Sequence, residues 1–264
     1  MDEKKIYNEM NELKKSFKTL ENQNKSLIRE IDYIKQLCLE PEKINFCPIC
    51  KNFSSFGDFW SRKNVLCPNC KSLERHRMVY LLLKNQYEDL LNSKIKLLHF
   101  APELLFYKFF SEKKNIDYYP VDFSPEIYEK KGISIRNKVD MEHIPYENEK
   151  FDFIYNSHVL EHIPNDIKAM SELYRVLKPD GVCITLVPLF NIDTTFEKEE
   201  YNTPELRLKY YGQRDHVRKY GLDFKNRLTS VGFKVKEIHA EDLIKTKEQK
   251  RLFRLNGEIF VCTK

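Results

Sequence analysis

Six short apolar runs, at residues 95–100, 117–121, 151–156, 181–187, 233–239 and 257–262, alternate with polar and amphipathic stretches, and nothing else limits the fold so narrowly. Runs of this length, rich in Ile, Val, Phe and Tyr, read as strands. Helical spacing lies between several of them, as over 166–177. Near-continuous apolar strands separated by helices build a doubly wound, mostly parallel α/β sheet, covered on both faces. The last two runs have no convincing helix between them and are expected to pair antiparallel at the edge. This α/β domain is assigned to 76–264.

Two other segments precede it. Over 1–40, Ile6, Leu13, Leu20, Leu27 and Ile34 alternate with Met10, Phe17, Asn24, Ile31 and Cys38 at spacings of four and three. A sustained heptad favours a left-handed coiled coil, and one Asn at an a position fixes register in a two-stranded state. A homodimer through this helix is therefore expected; the alternative is one amphipathic helix lying on the body of its own chain. Pro41 closes the segment. Over 41–75, Cys47-Pro-Ile-Cys50 and Cys67-Pro-Asn-Cys70 stand sixteen residues apart, with a short aromatic hairpin between them. Two such knuckles match a four-thiolate Zn²⁺ ribbon, whereas a redox C-x-x-C needs only one pair. Four protein ligands leave no open position, so this zinc is structural. The other thiols, Cys38, Cys183 and Cys262, read as buried structural cysteines.

Composition narrows the function classes. The formal net charge is +5, from 45 basic and 40 acidic residues among 264. That mild balance argues against a nucleic-acid partner, which calls for a concentrated basic face. The start, MDEKKIYNEM, lacks an apolar core, and the longest apolar run, VYLLL, is too short for a bilayer. A soluble, cytoplasmic chain without a membrane partner is expected.

Open α/β sheets bind ligands beyond the carboxyl ends of their strands. After the first strand come His99, Phe100, Ala101, Pro102 and Glu103, with no glycine where a cofactor turn usually carries two or three. After the second come Asp122 and Phe123, and an acid about twenty residues past the first turn is where a ribose diol is held. A weak third strand, ISIRNKV, leads to Asp140 and Met141. Asp140 is placed to accept from an adenine amino group. The fourth leads to Asn156, Ser157 and His158 in NSHVLEHIPND, and LKPDG reads as a helix stop and turn before the fifth.

The pairing of FDFIYNSHVLEHI with ELYRVLKPDG resembles the Rossmann-like, class I S-adenosylmethionine-dependent methyltransferases over residues 95–264. The zinc knuckles, SLERHR, the LHFAPE turn and GQRDHVRKYG also resemble a bacterial subfamily associated with surface-polysaccharide genes. The resemblance implies a seven-stranded sheet with the methyl donor across its switch point. It also implies Asp122 on the ribose and Asp140 with Met141 by the adenine. The departure is the first turn, where the family has an acid and Gly-x-Gly. This donor carries no pyrophosphate, so no nest of amides is required there. Ala101 is nearly as small as glycine, and Pro102 suits a first helical turn. Glu103 either pairs with the donor's amino group or is an ordinary acid at a helix N-terminus.

Methyl transfer from a sulfonium needs a positioned nucleophile and, for a hydroxyl, often a base. His158 and His162 flank the end of the fourth strand; His162 is a base candidate or a helix-start histidine, and His158 lines the donor pocket. In YYGQRDHVRKYG, Asp215 and His216 are read as an acid/base pair. Arg214, Arg218 and Tyr211 are placed on an anionic acceptor, against the plainer reading of a solvated charge run. Arg75, His76 and Arg77 read as the polar face of a helix or a second anion contact. The leading expectation is O-methylation of a small polar acceptor, a sugar or phosphorylated precursor of a surface polysaccharide. The alternatives are a ribosomal or transfer RNA methyltransferase, and a non-catalytic scaffold with a degenerate cofactor fold.

Overall fold

The structure is a computed structural model and describes residues 3–39 and 44–264. It forms two compact units, Met1–Lys71 with Leu252–Arg254, and Ser72–Arg251 with Leu255–Lys264.

The first unit begins with one helix, α1 (Glu3–Leu39). Its heptad residues Met10, Leu13, Phe17, Leu20, Leu27 and Ile31 are all exposed. The side chains of Ile6, Ile34 and Cys38, and all of Pro41, lie outside the described residues. Two antiparallel hairpins follow, β1 (Asn45–Cys47) with β2 (Asn52–Ser54) and β3 (Gly57–Phe59) with β4 (Arg62–Leu66). One knuckle turns between β1 and β2, and the other follows β4. In each, the residue after the second cysteine takes a left-handed backbone: Lys51 at φ +54° and Lys71 at φ +59°. Cys47 Sγ lies 3.5 Å from Cys70 Sγ, and Cys50 Sγ lies 3.7 Å from Cys67 Sγ.

The second unit opens with α2 (Glu74–Gln86) and α3 (Glu88–Asn92). β5 (Ile95–Phe100) leads through α4 (Leu104–Ser111) to β6 (Ile116–Asp122) and the short β7 (Asn137–Lys138). β8 (Phe151–Ser157) leads through α5 (Asp166–Val176) to β9 (Leu177–Leu186). After α6 (Pro204–Tyr211) and α7 (Phe224–Ser230) come β10 (Lys234–Ile238) and β11 (Ile259–Thr263). These seven strands form one sheet in the order β10-β11-β9-β8-β5-β6-β7. The β5, β6, β7, β8 and β9 pairings are parallel, and β11 runs antiparallel to both β9 and β10. Six of seven positions in β8 are buried, the both-faces pattern of a covered sheet. Cys183 and Cys262 face each other across β9 and β11, both buried.

Two readings are corrected here. LKPDG is the irregular start of β9, with a register shift against Phe151–Phe153, rather than a turn. A helix, Lys247–Phe253, does lie between the last two strands; none of its residues is buried, so it left no apolar stripe.

Candidate active site

The strand order reverses at β5, which has β6 on one side and β8 on the other. Beyond the carboxyl ends of these strands lies a cleft of about 630 Å³. Of the residues placed there by sequence, Phe100, Ala101, Asp122, Phe123, Asp140, Met141, His158, His162 and Asp215 line it. Its lining includes four acids, Asp122, Asp140, Glu142 and Asp215, and no lysine or arginine.

Ala101 follows β5 with its N–H on the Val121 carbonyl at 3.1 Å and takes φ +49°. A residue with a Cβ is strained in that region, so this chain has placed an alanine where glycine would be free. Asp122 accepts from Ser124 N at 2.7 Å through Oδ1 and from the Tyr128 hydroxyl at 2.9 Å through Oδ2. Those two bonds fix the carboxylate and leave it further lone pairs toward the cleft. Asp140 Oδ1 accepts from Glu142 N at 2.9 Å, closing the turn that carries Met141.

Five expected donor contacts lie elsewhere. His99 is buried among Phe110, Tyr118 and Tyr155 and shares a hydrogen bond of 2.7 Å with the Tyr118 hydroxyl. Burial pushes it down to about 3, so it stays neutral. Asn156 is fully buried and accepts from the Thr185 hydroxyl at 2.6 Å, a bond between strands. Ser157 is buried off the cleft. Pro102 sits two residues ahead of α4 rather than in its first turn, and it too is off the cleft.

Glu103 belongs to an ion cluster instead. Its Oε1 accepts from Arg75 Nη2 at 2.5 Å and from His76 Nε2 at 2.7 Å. Leu73 N–H donates to His76 Nδ1, so Nε2 carries the proton. Burial alone would raise the Glu103 carboxyl; His76 and Arg75 hold it well below the usual carboxylate range. His76 and Arg77 are buried, so SLERHR is an internal bracket, not a solvated face.

The segment GQRDHVRKYG straps across the turn after β8. Val217 N donates to the Glu161 carbonyl at 2.9 Å. Arg218, 3 % exposed, donates to the carbonyls of Leu160, Ile163 and Pro164 and to Glu197 Oε2. Gly221 ends the strap because a Cβ there would meet the Ile192 carbonyl oxygen at 2.6 Å. Arg218 therefore braces the site and is not an acceptor contact. Tyr211 is likewise buried, its hydroxyl held by the Lys198 backbone. Arg214 is exposed and reaches Glu205 at 3.4 Å.

The strap brings His216 against the His162 ring, centroids 4.7 Å apart and edge to face. Asp215 Oδ2 lies 3.2 Å from His162 Nδ1, so the acid belongs to His162 and not to His216 as the sequence suggested. Burial pushes His216 below its usual range, although Glu161 opposes the shift. Glu161 itself was missed: it is 1 % exposed, beside His162 in sequence, with His158 Nδ1 at 3.4 Å. Its only sequence signal was a carboxylate between two histidines.

Residues 105–185 match the family described as Methyltransferase domain. That match spans less than a third of the chain. A sterol 4-C-methyltransferase of Caenorhabditis elegans is 40% identical over 77 residues, 27% of this chain and 23% of that one. A sterol 24-C-methyltransferase of Pneumocystis carinii is 32% identical over 122 residues, 44% of this chain and 30% of that one. The chain thus spans less than a third of these curated relatives. A SAM-dependent methyltransferase from Archaeoglobus fulgidus is similar in structure, with a TM-score of 0.46 and 16% identity, covering 71% of this chain and 93% of that one. Among the described residues, no helix is long and apolar enough to cross a membrane.

Proposed function

We propose that the cleft binds S-adenosylmethionine and that the chain methylates an oxygen of a small polar acceptor. The observation that carries this reading is the cleft's lining of four acids without a lysine or arginine. Such a lining favours a ligand bearing sulfonium and ammonium charges and disfavours a pyrophosphate. When bound, the donor supplies a methyl group already activated for in-line displacement. Asp122 accepts from the ribose hydroxyls, Asp140 and Met141 flank the adenine, and Ala101 lets the donor approach the turn closely. His162, oriented by Asp215, and His216 stand on the acceptor side, and His216 stays neutral near pH 7, ready to take a hydroxyl proton.

The four cysteines suit a structural Zn²⁺. An ion bonded to sulfur at about 2.3 Å holds tetrahedral ligands about 3.8 Å apart, close to the two separations observed, 3.5 and 3.7 Å. The Cys67 thiol, sharing hydrogens with Cys47 and Cys70, is pushed well above its usual range; a dication relieves that crowding. The exposed heptad seam of α1 suits a parallel homodimer. The acceptor class, a sugar or phosphorylated precursor of a surface polysaccharide, rests on the subfamily resemblance. The relatives' sterol chemistry belongs to proteins matched over less than a third of their length.

Labelled donor tested against nucleotide sugars, capsule fragments and RNA identifies the acceptor. With it in hand, His216→Ala is expected to lower kcat about 100-fold, with donor Kd unchanged. Wild-type turnover in that variant refutes the role of His216.

A further inference from the structure

We propose that Glu161, His162 and His216 hold a divalent transition-metal ion on the acceptor side of the cleft, separate from the four cysteines. One ligand atom from each of the three lies within 4.8 Å of the others. Both Glu161 carboxylate oxygens are buried and accept no hydrogen bond, and His216 Nδ1 is buried without a partner. Among the described residues, the one group within ion-pair distance of Glu161 is His158, whose Nδ1 at 3.4 Å lacks hydrogen-bond alignment. A buried carboxylate without donors is costly, and unsatisfied polar atoms on two of three clustered ligand residues mark a cation's place. Asp215 Oδ2 stands 3.2 Å from His162 Nδ1, on the side of the ring that leaves Nε2 for the ion.

Bonds of about 2.0–2.2 Å set ligand atoms roughly 3–3.5 Å apart, so atoms as far as 4.8 Å apart close in by roughly 1.3–1.8 Å on loading. His162 is partly exposed and has room to turn, while the strap fixes Glu161 and His216. Two imidazoles and a carboxylate select a first-row transition ion over Mg²⁺ or Ca²⁺. Three protein ligands, unlike four thiolates, leave positions open toward the cleft. With the ion bound, His216 would serve as a ligand instead of as the base, and an acceptor hydroxyl reaching the ion there would be acidified in its place. That role rests on the methyl-transfer reading, whereas binding of the ion does not.

The test counts metal. Full-length protein saturated with Zn²⁺ and freed of excess is expected to hold two ions per chain, and Glu161→Gln one. Co²⁺ titrated into protein carrying zinc only on its cysteines should give ligand-field bands without thiolate charge transfer; Mg²⁺ should not compete. One ion per chain in the wild type, or two in a folded Glu161→Gln, overturns the proposal. Should Glu161→Gln not fold, His162→Gln, altered at a partly exposed position, must lose the Co²⁺ bands, and retention of the bands is equally fatal. S-adenosylmethionine titrated into the same samples reports separately on the donor site.

Discussion

Ala101 holds a left-handed backbone at the turn between β5 and α4. Replacing it with glycine trades relief of strain against unfolded-chain entropy, so Ala101→Gly should change stability by less than about 1 kcal/mol. Ala101→Val puts a β-branched side chain at positive φ and should cost about 2 kcal/mol or more, measured by chemical denaturation. His99 gives a second residue-scale expectation. It takes a proton near 6.5 when unfolded and only near 3 when folded. Between these values unfolding takes up a proton, so stability falls as pH drops, by at most about 1.4 kcal/mol per pH unit. His216, also lowered, adds to the slope just below 6.5. Below the ordinary carboxylate range the Glu103 cluster adds its own loss. His99→Phe should flatten the stability profile between pH 6 and 4.5; an unchanged slope contradicts the assignment. Asp122 and Asp140 were legible because strand ends and spacing mark them. The true surroundings of His99 and Glu103 were not, because nothing local distinguishes a strand-end side chain aimed at a ligand from one aimed at the core.

At the scale of elements, sequence periodicity located all six strong strands, and β5 matches its apolar run residue for residue. What periodicity missed was structure without an apolar pattern: the helix Lys247–Phe253 and the extended path through Pro179 into β9. The strap is another case. In sequence its charges read as an acid/base pair beside arginines for an anionic acceptor, yet Arg218 is buried because it satisfies carbonyls that the turn after β8 leaves open. The heptad of α1 was legible throughout its length, and its exposed seam leaves its occupant to experiment. Light scattering on the full chain should give a dimer, and removal of residues 1–40 a monomer. A full-length monomer removes the coiled coil; Asn24→Leu should strengthen or scramble the oligomer.

On the scale of the whole molecule, the acids that define the cleft come from the ends of β6, β7 and the strap, far apart in sequence. No window of the chain displays that charge pattern; only the sheet order assembles it. The absence of glycine after β5 thus weighs less than the four acids, without lysine or arginine, that line the cleft. The most direct measurement is calorimetric titration of the full chain with S-adenosylmethionine and, in parallel, with NAD⁺. The expected result is micromolar binding of S-adenosylmethionine, no detectable binding of NAD⁺, and at least a tenfold weaker donor Kd in Asp122→Ala, about 1.4 kcal/mol. No binding at millimolar S-adenosylmethionine, or an unchanged Kd in Asp122→Ala, would contradict it.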